Sequence, residues 1–211
     1  MKRAKISFPS GELFLEGILA IPEGAGPFPA VIICHPHPLY GGSMDNNVVY
    51  SLSAALTQAS LASFKFNFRG VGGSQGAFNQ GIGEREDVEA AISYISTVKK
   101  IDSKRIGLAG YSAGAAFALP IGSDDVRIKA LVAVSPPLPM FDFDFLKGCP
   151  KPKLLISGSR DNFIPADQFI EFCQNLPEPK EYENIKGADH FWQGYESSLA
   201  ARVTAFFIQI L

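Results

Sequence analysis

The stretch Gly110-Tyr111-Ser112-Ala113-Gly114 sets a serine between two glycines where an apolar run, RIGLAG, gives way to AGAAFALPI. A strand that bends sharply into a helix strains the residue at the bend, and only small neighbours fit beside it. Such a bend exposes the Ser112 hydroxyl at the C-terminal edge of a sheet, where open α/β folds bind ligands. A hydroxyl is a weak nucleophile at neutral pH; it needs a base, and the base needs a carboxylate to orient it. The plainer role for Ser112 is a helix cap. Of the three histidines, His35, His37 and His190, the last lies in IKGADHFW, after the final expected strand, and is the candidate base. Asp161, in LLISGSRDNFIP, follows the strand before that and is the candidate orienting acid, although an Asp beside an Asn also caps turns. Asp142 and Asp144 precede that strand, and Asp189 adjoins the base and points elsewhere if His190 faces Ser112.

Acyl transfer also requires donors for the oxygen that becomes negative in the tetrahedral intermediate. One is the backbone N–H of Ala113, just after the nucleophile. The second is expected from the loop HPHPLYGGSMDN. Pro36 and Pro38 carry no N–H, which leaves His37 first and Leu39 next. Two histidines two residues apart could also ligate a metal, but a zinc site takes three or four ligands and no further His/Cys cluster accompanies them. The expectation is therefore no metal, no organic cofactor, and a loop-stiffening hydrogen bond from His35.

These residues need a scaffold, and the chain supplies an alternating one. FPAVIIC, ASFKFNF, RIGLAG, IKALVAVS, PKLLISGS and KEYENIKG read as strands. Between and after them NVVYSLSAALTQAS, EREDVEAAISYISTV, AGAAFALPI, ADQFIEFCQNL and SLAARVTAFFIQIL read as helices. The continuous β-branched run from Phe28 to Cys34 marks a strand covered on both faces. This alternation implies an α/β fold, a mostly parallel central sheet with helices on both faces, with the first segments as an antiparallel edge. Residues 1–211 read as a single domain. PPLPMFDFDFLKGCPKP breaks the rhythm and is too short for a cap domain; its alternating Phe and Asp predict one apolar and one wet side. FRGVGGSQG follows a strand but lacks a phosphate-loop register; Arg69 is expected to anchor it.

Composition excludes several classes. The formal net charge of −2 gives no bulk electrostatic reason to expect a nucleic-acid or anionic-membrane partner. Three widely spaced cysteines, Cys34, Cys149 and Cys173, argue for buried thiols rather than a disulfide framework. The apolar stretch near the N-terminus is interrupted by Gly11, Glu12, Glu16 and Gly17, unlike a signal peptide or membrane span. A cytoplasmic protein is expected, with its oligomeric state open.

Together CHPHPLYGGSMDNNVV, FNFRGVGGSQG, GYSAG, SGSRDNFIP and GADHFW resemble the α/β-hydrolase superfamily over essentially the whole chain, and within it a small cap-less bacterial group described as dienelactone-hydrolase-like. The order Ser112, Asp161, His190 matches the superfamily's nucleophile–acid–base order. The resemblance implies serine-dependent ester hydrolysis. Dienelactone hydrolases carry a cysteine nucleophile, and haloalkane dehalogenases and epoxide hydrolases an aspartate; Ser112 argues against those chemistries. The expected function is a carboxylesterase for small acyl esters that works through an acyl-enzyme. The alternatives are a thioesterase, peptidase or acyltransferase with the same triad, or a non-catalytic binding protein on the same scaffold.

Overall fold

A computed structural model describes residues 1–211. In chain order the elements are β1 (Lys2–Ser10), β2 (Leu13–Ile21), β3 (Phe28–Cys34), α1 (Asn47–Gln58), β4 (Ala62–Phe66), α2 (Ile82–Thr97), β5 (Ile101–Tyr111), α3 (Ala113–Asp124), β6 (Ile128–Val134), β7 (Lys153–Gly158), α4 (Ala166–Gln174), β8 (Lys180–Ile185) and α5 (Glu196–Ile210). Short 3-10 turns occupy Pro38–Tyr40 and Asp144–Lys147.

The strands form one eight-stranded sheet in the order β1-β2-β4-β3-β5-β6-β7-β8. From β4 through β8 the pairing is parallel; β1–β2 and β2–β4 are antiparallel. The chain runs outward from β3 to β4, then crosses back to β5 on the other side of β3. The loops after β3 and β5 therefore diverge at the sheet's switch point, where open α/β folds form a crevice. Pairing of Cys34 with Gly110 brings the ends of these two strands level, so the HPHP loop and Ser112 leave the sheet side by side.

The sheet stands here because its central strands bury both faces. Side chains alternate along each strand. In β3, Ala30, Ile32 and Cys34 pack with Val88, Ile92 and Ile95 of α2 and Phe117 of α3. Val31 and Ile33 point the opposite way, against Leu52 and Leu56 of α1 and Val203 and Phe207 of α5. Each fully buried aliphatic or Phe side chain contributes about 1.5–3 kcal/mol, and the two cores together clamp the sheet and fix its register.

The N-terminal segment KRAKISFPS is a strand that pairs antiparallel with β2 from Lys2 to Ser10, and the two form the antiparallel edge expected of the first segments. Its exposed Lys2, Arg3 and Lys5 occupy an outer edge, where charge discourages pairing with other chains. The segment 136–152 is a flap rather than a domain. Phe143, Leu146 and Cys149 are buried, whereas Asp142 and Asp144 face water, so the Phe/Asp alternation does separate an apolar from a wet side. All three cysteines are free and buried. No helix is long and apolar enough to cross a membrane.

Candidate active site

Ser112 sits between β5 and α3 with φ 54° and ψ −126°, in a region an L-residue adopts only under constraint. Its N–H donates to the Val134 carbonyl at 2.8 Å, and its own carbonyl accepts from the Ala115 N–H at 2.9 Å. The flanking glycines are sterically required. A Cβ on Gly110 would lie 2.4 Å from the Ala115 Cα, and one on Gly114 would lie 2.3 Å from the His35 carbonyl oxygen. The sequence G-Y-S-A-G thus lets α3 press against the ends of β5 and β3 while Ser112 lines the cleft above them.

The three residues singled out from sequence meet here. His190 Nε2 lies 3.0 Å from Ser112 Oγ, and Nδ1 lies 2.8 Å from Asp161 Oδ2. An ionised carboxylate only accepts, so Nδ1 carries the ring proton and Nε2 presents its lone pair to the Ser112 hydroxyl. The Asp161 side chain is fully buried. Its other oxygen accepts from the Phe163 N–H at 3.0 Å, so the same carboxylate shapes its own turn and orients the imidazole. Asp142 accepts from the Asp144 N–H and Asp144 pairs with Lys147; both are engaged within the flap.

Further residues hold His190 and its loop, and sequence reasoning missed their part in this. The Tyr111 hydroxyl donates to the His190 carbonyl at 2.7 Å. Asn47 Nδ2 donates to the Phe191 carbonyl at 2.9 Å. Buried Trp192, at φ 61°, donates from Nε1 to Ser135 Oγ at 3.1 Å. Asp189 turns away from the serine and accepts from the Phe191 and Trp192 N–H groups. Tyr111 did carry one signal, its place inside the motif; no local pattern announces a bond to a carbonyl 79 residues on.

The HPHP loop lies opposite. His35 is wholly buried: Nδ1–H donates to the Pro36 carbonyl at 2.7 Å, and Nε2 accepts from the Phe68 N–H at 3.1 Å. Burial lowers its pKa to about 4, so it is a neutral rivet between this loop and the FRG segment. The Leu39 N–H donates to His37 Nδ1 at 3.2 Å. The His37 N–H, by contrast, has no acceptor within the protein. Ala113 opens α3, and the first N–H groups of a helix have no partner inside it. Arg69 anchors its loop to carboxylates: its Nε and Nη2 bind Asp87 at 2.8–3.2 Å, and Nη2 also reaches Glu86 at 2.9 Å.

A cleft of about 590 Å³ opens over Ser112, lined by the HPHP loop, Phe163, Phe191 and the flap's Met140 and Phe141. No Asp, Glu, Lys or Arg lines it. Its polar side chains are the imidazoles of His37 and His190, the Asn46 amide and the hydroxyls of Ser112, Tyr40 and Tyr111.

The family model described as alpha/beta hydrolase domain matches residues 30–204. An uncharacterized protein of Rickettsia prowazekii is 33% identical over 190 residues, covering 86% of this chain and 79% of its own. Among solved structures, an alpha-beta serine hydrolase homologue from Coxiella burnetii superposes with TM-score 0.88 at 33% identity, over 97% of each chain. A serine hydrolase without lid from Xanthomonas campestris gives TM-score 0.87 at 25% identity, over 99% of this chain and 95% of its own. With the sheet order, the strained serine and these likenesses in agreement, the chain belongs to the alpha/beta hydrolase family.

Proposed function

We propose that this hydrolase is a serine carboxylesterase for small, uncharged acyl esters, with Ser112 as nucleophile, His190 as base and Asp161 as orienting acid. The observation that carries the reading is the His190 imidazole, bonded at 2.8 Å to Asp161 and 3.0 Å to Ser112 in a cleft without charged side chains.

In the first half-reaction His190 Nε2 takes the Ser112 proton as Oγ attacks the ester carbonyl. The carbonyl π pair moves onto oxygen, which accepts hydrogen bonds from the Ala113 and His37 N–H groups. Asp161 stabilises the imidazolium without taking its proton. The intermediate then collapses: the C–O bond to the alcohol breaks, and His190 gives that oxygen its proton. In the second half, water gives a proton to His190 as its oxygen attacks the acyl-enzyme. The new intermediate expels Ser112, which regains the proton, and the acid leaves. Every proton and electron pair comes from substrate, water or these side chains.

The missing charges in the cleft favour neutral acyl and alcohol groups, because an ionic group would be desolvated there without a partner. The short flap favours compact substrates over long acyl chains. The test is a panel of short-chain acyl esters, matched thioesters and peptide amides, with Ser112→Ala as control. Hydrolysis of the esters that vanishes in the variant is expected. Turnover confined to thioesters or amides would replace the ester reading, and equal turnover by Ser112→Ala would remove the nucleophile.

A further inference from the structure

Two aromatic rings that the reaction cycle does not use stand beside the base. Phe163 lies two residues after the acid and Phe191 one residue after the base. Their ring centroids are 4.8 Å and 5.7 Å from that of His190. The two rings stand 6.3 Å apart and nearly perpendicular, at 87°. Both line the cleft over Ser112, and they are 44% and 55% exposed, so neither is spent on core packing. Exposed apolar rings grouped at a polar reaction centre mark a binding surface more often than a packing remnant.

The chemistry says which half of the substrate they meet. The carbonyl oxygen is drawn towards the Ala113 and His37 N–H groups. The leaving oxygen must come within hydrogen-bond reach of His190 Nε2 to collect its proton. The alcohol half of the ester therefore lies against the two rings beside that imidazole. A right-angled pair offers a third ring one face to stack on and one edge to meet, the two geometries aromatic rings prefer. No charged side chain lines the corner.

We propose that Phe163 and Phe191 form a leaving-group subsite that selects esters whose alcohol carries an aromatic ring. This rests on the reading of Ser112 and His190 given above and deepens it: the acyl side sets size, and the alcohol side sets aromatic character. Saturated groups of equal bulk gain the same burial but lose the ring–ring contribution.

Benzyl acetate and cyclohexylmethyl acetate isolate that contribution, since their alcohols are nearly equal in size and basicity. The wild-type kcat/KM is expected to favour benzyl acetate about fivefold, the value of roughly one ring–ring contact. Phe163→Leu combined with Phe191→Leu brings the ratio towards one, whereas Phe163→Tyr, which keeps the ring, preserves it. Both positions are exposed, and a circular dichroism melt checks that the variants fold. A wild-type preference below about twofold on that scale, or a preference that survives the double leucine variant, overturns the subsite while the esterase reading stands. If neither acetate is hydrolysed and short-chain esters in general are inert, the underlying reading fails and takes the subsite with it.

Discussion

At the scale of single residues the central feature is a division of labour around one imidazole. Ser112 and Asp161 hold its two nitrogens, while Tyr111 and Asn47 hold its main chain through the His190 and Phe191 carbonyls. Replacing Ser112 or His190 with Ala is expected to cost on the order of 10⁴-fold or more in kcat with little change in the melting curve. A loss under tenfold at both sites would remove them from the chemistry. Tyr111→Phe tests the positioning role. Removing its hydroxyl frees the His190 carbonyl and lets the base drift, and small misplacements of a base are expensive. A kcat reduction on the order of tenfold with KM nearly unchanged is expected, accompanied by about 1 kcal/mol of lost stability in urea unfolding. A stability loss with no kcat change would make Tyr111 a packing residue only. Ser112, Asp161 and His190 were legible in the sequence because each follows a strand, in the order Ser, Asp, His. Tyr111, Asn47 and Trp192 were not, because what assigns them is contact across the sheet's edge, which spacing along the chain does not record.

At the scale of elements, the loops that carry these residues are pinned by buried polar contacts. Asp87 on α2 is fully buried and accepts from the Arg69 guanidinium, the Arg69 N–H and Ser10 Oγ. This network ties β1, the FRG loop and α2 into one unit behind the HPHP loop. Asp87→Asn leaves a buried guanidinium without its carboxylate and is expected to cost about 3–5 kcal/mol, read as a lowered urea midpoint. A change below about 1 kcal/mol would mean that water or Glu86 replaces the lost partner. The partner itself was not legible: Arg69 was expected to anchor its loop, but Asp87 reads in the sequence only as a favourable charge near a helix start. Strands β3, β6 and β7 were legible because burial on both faces leaves unbroken apolar runs. Strand β1 was harder to read, since its lysines and arginine on an outer edge obscure the alternation that Phe8 and Ser10 complete on the buried side.

At the scale of the whole molecule, one buried histidine couples stability to pH. His35 titrates at about 4 when folded, against about 6.5 in an unfolded chain. Between those limits the unfolded chain binds more protons, so stability is full above the unfolded value and drains as the pH falls towards the folded one. Between about pH 7.5 and about pH 5 this contributes a loss of roughly 2 kcal/mol. Urea titrations at both pH values should show it, and His35→Gln should flatten that part of the dependence; an unchanged slope in the variant would assign the loss to other groups. The mostly parallel sheet follows from the alternation of strands and helices, and the family likeness from the HPHP, FRG, GYSAG, SRDNF and GADHF segments taken together. The narrower likeness to dienelactone-hydrolase-like proteins is not carried by the comparisons. Every step of the proposed reaction depends on His190 making Ser112 reactive. Mass mapping after brief exposure to a fluorophosphonate tests this most directly. One adduct on Ser112 is expected, absent from Ser112→Ala and formed far more slowly in His190→Ala; an adduct elsewhere, or undiminished labelling of Ser112→Ala, contradicts it.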